Sequence, residues 1–328
     1  MFNVKQNINT ALTDRIMEKR KCKRSSCRVY SSNLRRINKE FSKEKFTVNL
    51  KWLEKDAAVI LGKIKRLSSV NKQRNLVSAA LIGFDLLKDT KNQEIFNAYL
   101  KVLNKKKAEL QRSGEMTEKE KQKFVPWKQI IKLRRLLGRE VNLSRLYQRE
   151  NVTKKDFQKL QRYLVLMLMT ELPPVRNEYA DVAIMADKEH KESSDKNVLL
   201  TSRGGYKFIW VKYKTAGTYG KIVIFVPKYS KSLQRLLVKH VKYLRKHFPD
   251  NKALLLNQNY GPLTRNALTK YLQRMFSVYF KKKVSTTAIR QSFLTNRYSK
   301  SALEEHSDIA RAMGHSRSTQ QADYVKKI

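Results

Sequence analysis

Six residues of this 328-residue chain have the side chains that cleavage of a phosphodiester without metal would need: Arg176, Lys214, Thr287, Arg290, His315 and Tyr324. In that reaction negative charge builds on the non-bridging oxygens. Arginine meets such oxygens with a forked, permanently charged donor. The leaving 5′ oxygen needs a proton from a general acid. If the bond energy is to be kept for rejoining, the nucleophile must be a side chain. Arg176 follows the helix-stopping pair Pro173-Pro174, where a side chain can face a cleft. Lys214 leads into the turn Thr215-Ala216-Gly217-Thr218, and a lysine at a hairpin tip can reach into a groove as a proton donor. Thr287 precedes Arg290 by one turn on the same face of a predicted helix. His315 follows Gly314, which ends a helix holding Ile309 and Met313. Tyr324 comes nine residues after His315 and is the candidate nucleophile. Taken singly, each is an ordinary surface cation, cap or packing residue. Only the ordered set is specific.

The rest of the chain is suited to holding a polyanion. Lysine and arginine total 71 against 28 acidic residues, a formal charge of +43. That excess is self-repelling unless a polyanion neutralises it, and neutralised phosphates release counterions that drive binding. A hydrophobic content of 41% excludes a disordered basic tail. A membrane partner is disfavoured: the longest apolar run, Tyr163 to Met169, falls far short of the ~20 residues needed to span a bilayer. No secretory signal is visible at the polar, charged N-terminus. Cys22 and Cys27 cannot complete a zinc site without further ligands nearby and read as ordinary reduced thiols. Asp181, Asp187, Glu189 and Asp195 cluster with His190 in a polar stretch that reads as a solvated loop rather than a two-metal site. No metal or other cofactor is expected.

The elements that must position these residues are mainly α-helical, with one small antiparallel β-sheet. Residues 1–28 read as a basic N-terminal arm, with the run Lys19-Arg20-Lys21-Cys22-Lys23-Arg24. Residues 29–110 read as a helical, DNA-binding domain. In it Ser31 or Ser32 caps a first helix through Phe41, and Leu50, Leu53, Ala57, Ile60, Leu61 and Ile64 recur at helical spacing. Ser68 or Ser69 opens a third helix with Leu76, Ala79, Ala80 and Phe84 inside, and a fourth runs from about Gln93 to Lys107. The first turns of the third helix carry Asn71, Lys72, Arg74 and Asn75, which with Arg35 make the candidate DNA-binding set. Residues 111–124 lack an apolar stripe and read as a linker. Residues 125–328 form a second domain. It begins with Ile130, Leu133, Leu136 and Leu137 on one helical face, then a core helix from Asp156 to Glu171. Strand-like runs follow at Asn197–Thr201, Phe208–Tyr213 and Lys221–Val226, then helices at about 230–248, 264–280, 285–299 and 302–313.

At the six residues the chain resembles the tyrosine recombinase and integrase superfamily. Arg176 in Pro-Pro-Val-Arg-Asn-Glu-Tyr matches the family's first arginine, and Lys214 matches its hairpin lysine. Arg290 in Ala-Ile-Arg-Gln-Ser-Phe matches the second arginine, and His315 lies in Met-Gly-His-Ser with Tyr324 at the family's spacing. The resemblance implies a core-binding domain at 29–110 and a catalytic domain at 125–328. It implies that Tyr324 attacks the scissile phosphate, leaving a 3′-phosphotyrosine and a free 5′-hydroxyl. Arg176, Arg290 and His315 would stabilise the phosphate and Lys214 would protonate the departing oxygen. The implied partners are double-stranded DNA with a specific recombination site and further copies of the chain, a tetramer when two duplexes are joined. The implied setting is intracellular and DNA-associated, and the heavy lysine use is similar to that of recombinases of viruses and other mobile elements. Glu178 is expected to support Arg176 or neighbouring structure.

Two features depart from the family pattern. Thr287 stands where the family has the histidine of His-x-x-Arg, and a hydroxyl cannot act as a base near neutral pH. Four residues follow Tyr324, so the further helix by which relatives dock on a neighbouring subunit is expected to be short, absent or replaced by another segment. Two other functions fit part of the pattern. A type IB topoisomerase uses the same chemistry on one duplex, but would begin with a strand-rich domain. A non-catalytic DNA-binding protein on a recombinase scaffold would account for Thr287.

Overall fold

The computed structural model describes residues 2–113, 115–189, 195–297, 307–314 and 316. The chain separates into two compact units, Met1–Ser113 and Gly114–Ile328. The first is helical: α1 (Phe2–Arg20), α2 (Arg24–Phe41), α3 (Lys51–Lys55), α4 (Ala57–Lys65), α5 (Val70–Leu87) and α6 (Thr90–Ser113). The predicted apolar positions Leu50, Leu53, Ala57, Ile60, Leu61 and Ile64 are buried, as are Leu76, Ala79, Ala80 and Phe84 of α5. Ser69 opens α5, its hydroxyl accepting from the Lys72 amide. The predicted second helix is broken at Asp56 into α3 and α4. The Asp56 carboxylate accepts from the Ser42 hydroxyl and the Lys43 amide, and the Ser42 bond holds it below the usual carboxylate range. At Gly83 a Cβ would run into Leu53 and Leu34, so the absence of a side chain lets α5 lie close against α2 and α3.

Three expectations fail around this unit. Residues 1–28 are not an arm: α1 buries Leu12 and Ile16 in the same core as Leu34 and Phe84. Its apolar face is narrow within a basic sequence, so charge masks the helical period. Cys22 and Cys27 are joined in a disulfide rather than reduced, because Lys21 at φ 47° turns the chain from α1 into α2 and brings the two Cα atoms to 6.5 Å. Residues 111–124 are not an unstructured linker. Thr117 and Glu120 form a reciprocal capping box around α7 (Glu118–Lys121). Gln291 Nε2 donates to Glu120 Oε1 (2.9 Å), Ser292 Oγ to the Val125 carbonyl (2.7 Å), and Lys282 Nζ to the Phe124 carbonyl (2.8 Å). This segment is held by polar bonds, which leave no apolar period to read.

The second unit continues with α8 (Trp127–Leu143) and α9 (Lys154–Glu171), then a 3₁₀ turn at Glu178–Asp181. Its strands are β1 (Ala183–Ala186), β2 (Val198–Thr201), β3 (Lys207–Trp210) and β4 (Ile222–Phe225), with the short α10 (Ala216–Tyr219) between β3 and β4. Then come α11 (Val226–Tyr229), α12 (Lys231–His247), α13 (Arg265–Phe280), α14 (Thr286–Arg297) and α15 (Ser307–Ala312). α9 is apolar nearly all round, from Leu164 to Met169, and is the central helix of the core. Leu136, expected inside with Leu133 and Leu137, is 45% exposed.

The fold is mainly α with a small sheet, as expected, but the sheet is mixed. Its order is β1-β2-β3-β4, with β2-β3-β4 antiparallel and β1 parallel to β2. β1 is only Ala-Ile-Met-Ala, and its position is set by remote partners, since Ile184 N donates to the Lys252 carbonyl. Leu199, Phe208, Trp210, Ile222 and Ile224 face the main core, and Val198, Leu200 and Ile209 form a small apolar cluster on the opposite face. Asp181 of the acidic cluster pairs with Arg265 and Asp195 with Lys212; His190 lies outside the described residues. Among the described residues no group of three His, Cys, Asp or Glu stands close enough to hold a metal, and no helix is long and apolar enough to cross a membrane.

Candidate active site

Arg176 stands on irregular backbone just beyond α9. Leu172, Pro173, Pro174 and Val175 before it are buried, which fixes where the chain leaves the helix. Arg176 and Glu178 line one small cavity with Trp210, Tyr213, Met313 and Gly314. Glu178 is only 4% exposed, a costly place for a carboxylate.

Arg290 comes from the middle of α14. Ser285 caps that helix, its hydroxyl accepting from Ala288 N, and Ala288, Ile289 and Phe293 bury its inner side. Arg290 is 0% exposed, and its Nη2 donates to the Met313 carbonyl at 3.1 Å. That carbonyl lies just past the C-terminal end of α15, where the helix dipole favours a cation. Gly314 follows with φ 66°, the left-handed value of a helix-ending glycine. A Cβ there would press on the Tyr213 ring at 3.0 Å.

Lys214 is exposed on the connection between β3 and α10. The predicted strand ends at Trp210 rather than Tyr213, because the chain turns to form α10. The residues on either side of Lys214 hold that connection against residue 314. The Thr215 hydroxyl donates to the Gly314 carbonyl at 2.5 Å, and the Tyr213 ring lies at Gly314 with its hydroxyl donating to the Gly220 carbonyl at 2.6 Å. Thr287 is exposed at the start of α14, next to the buried Thr286.

Arg176 thus shares one cavity with Met313 and Gly314, Arg290 is bonded to the Met313 carbonyl, and the Lys214 connection is clamped to the Gly314 carbonyl. His315 and Tyr324 lie outside the described residues. Sequence reading missed Asn177, Thr286, Thr269, Thr215 and Tyr213, the groups that hydrogen-bond or pack these segments together. Only the adjacency of Asn177 to Arg176 and of Thr286 to Thr287 hinted at them.

The candidate DNA-binding residues lie in the first unit. Asn71 and Asn75 are exposed one turn apart on α5. Lys72 Nζ is 4.0 Å from Glu40, and Arg74 Nε donates to Asn104 Oδ1 at 2.8 Å. The Arg35 guanidinium lies over the Phe46 ring at 5.3 Å, a packing role.

No protein-family model matches the chain, and no curated protein matches it in sequence. Among solved structures it is similar to the XerH site-specific recombinase bound to its difH substrate in a pre-cleavage complex, with a TM-score of 0.55 and 17% identity over 98% of this chain and 81% of that one. It is also similar to the XerA recombinase, with a TM-score of 0.39 and 12% identity over 97% of this chain and 93% of that one. The likeness to XerH over nearly the whole chain shows that this protein has the tyrosine recombinase fold.

Proposed function

We propose that this chain is a site-specific DNA recombinase that breaks and rejoins strands through Tyr324. The observation that carries the reading is that Arg176 lines one cavity with Met313 and Gly314, whose segment Arg290 bonds, on a tyrosine recombinase fold. XerH, the neighbour with that fold, is bound to a DNA substrate, in keeping with a charge of +43 here. In the proposed reaction the Tyr324 oxygen bonds to phosphorus as the bond to the 5′ oxygen breaks. The two arginines and His315 meet the non-bridging oxygens, and Lys214 gives the leaving oxygen its proton. The 5′-hydroxyl of a partner strand reverses the step and releases the tyrosine. No metal takes part in this scheme. Integration or excision of a mobile element, by copies of the chain assembled as a tetramer on two specific sites, is the fuller form of the reading.

Incubation with nicked suicide sites tests it. Wild type should form a covalent protein–DNA adduct that Tyr324→Phe does not. Binding without any adduct on the cognate site would instead favour a DNA-binding protein, the reading that exposed Thr287 in place of a basic histidine supports. Relaxation of arbitrary supercoiled plasmid by monomers, without strand exchange, would favour a topoisomerase.

A further inference from the structure

We infer that Asn177 is a positioning residue for both arginines, joining the Arg176 segment to the helix that carries Arg290. The inference rests on the recombinase reading and adds to it a residue with no expected role in the chemistry. Arg176 lies on backbone outside any helix or strand, so something besides main-chain bonding must fix it. Its neighbour Asn177 supplies two anchors. The Thr286 hydroxyl, on the first residue of α14, donates to Asn177 Oδ1 at 3.2 Å. Asn177 Nδ2 donates to the Thr269 hydroxyl of α13 at 3.0 Å. Thr269 sends its own proton to the Arg265 carbonyl at 3.3 Å, so its oxygen is left to accept and the Asn177 amide N–H₂ supplies a donor.

The anchor on α14 is well placed. Thr286 is 5% exposed and stands one turn before Arg290, on the same side of the helix. Arg290 in turn holds the Met313 carbonyl, and Thr215 holds the next carbonyl, that of Gly314. One line of side-chain bonds therefore links the Arg176 segment, α14, the residues before His315 and the connection bearing Lys214. The Thr286–Asn177 bond joins the first and second of these. Loss of that link would let the two guanidinium groups drift relative to each other while both remain present and charged.

The test uses the 328-residue chain and compares affinity for an uncleaved cognate site with the rate of adduct formation on a suicide site. Asn177→Leu, similar in shape but without either bond, should slow adduct formation by about 10- to 100-fold, the cost of a small misplacement of reacting groups, with affinity within about threefold of wild type. On DNA carrying a neutral methylphosphonate at the scissile position there is little charge for the arginines to meet. There the deficit should shrink to about threefold or less, whereas damage to folding would persist on both DNAs. Thr286→Val should act in the same direction, and Asn177→Leu with Thr286→Val should be no slower than the worse single variant. If Asn177→Leu does not fold, Thr286→Val, which removes one donor, carries the same comparison of charged and neutral DNA. Wild-type rates in both variants, or an equal deficit on both DNAs, would overturn the inference and leave the recombinase reading standing. Failure of wild type to form a Tyr324-dependent adduct would overturn both.

Discussion

In the Met1–Ser113 unit, Lys72 and Arg74 lie on the flank of α5 while the opposite face, Leu76 to Phe84, is buried with apolar neighbours. In the Gly114–Ile328 unit, Arg290 lies within the protein at 0% exposure and Glu178 at 4%. Among the described residues these are the buried arginine and carboxylate, and both belong to the candidate active site. Burying charge costs several kcal/mol unless partners compensate, and apolar residues of the same volume would serve stability as well or better. The first unit is therefore arranged as folding alone would arrange it. The second departs from that arrangement where its cavity opens beside Arg176. The contrast marks where the structure bears a physical cost that folding alone does not explain.

The largest expected effect would break or hold that contrast directly. Arg290→Ala should slow adduct formation by about 10²- to 10³-fold, as loss of a charge-stabilising donor does, while affinity for the uncleaved site changes far less. Equal losses in gel-shift and suicide-site assays would mean that Arg290 holds DNA as an ordinary cation does.

A second buried polar group sharpens the comparison away from the cavity. His240 of α12 is fully buried, its Nδ1 3.0 Å from the Tyr147 hydroxyl, and burial pushes its pKa down to about 4 from 6.5. The unfolded chain takes up its proton first as pH falls. The stability due to neutral His240 is thus complete above pH 6.5 and is lost as pH falls toward 4, by up to about 3 kcal/mol. Urea unfolding across that range should show this decline, and His240→Gln should flatten it. An unchanged slope in the variant would assign the acid sensitivity to other groups.

Smaller effects probe the apolar packing of the first unit. Gly83→Ala should destabilise it by about 1–3 kcal/mol through collision with Leu53 and Leu34, despite alanine's better helix propensity. Gly62→Ala in α4, with nothing within 4 Å of the new methyl, should stabilise by about 0.5–1 kcal/mol. Thermal unfolding of the pair checks the sign. The smallest effect belongs to Arg74→Ala. It should lower the slope of log affinity against log salt by about 1, if Arg74 meets a phosphate, and leave cleavage of bound DNA unchanged. A matching loss of cleavage would place Arg74 in the chemistry and erase the division of labour between the units.

What could be read from the residues tracks the kind of force that fixes each element. α5, α9, α12 and α13 were legible because each buries a stripe at helical spacing, and Ser69 and Gly314 punctuate helix ends through their own backbone chemistry. β1 was not, since the four-residue run Ala-Ile-Met-Ala is too short to show an alternation and is placed by pairing with β2 and with Lys252. α1 was obscured by its charge, and the segment before α8 is held by Glu120, Phe124 and Val125 through bonds to distant residues.

The linear order by itself determined the mainly helical class, the basic character and the ordered set Arg176, Lys214, Thr287, Arg290, His315 and Tyr324, because periodicity, charge and motif spacing are local properties. Only the tertiary structure decided that Arg290 would be wholly enclosed, that residue 314 would sit against Tyr213 and Thr215, and that Asn177 would bridge to Thr286 across 109 positions. Hydrogen bonds between remote side chains follow from where packed helices place them, and no local pattern encodes that placement.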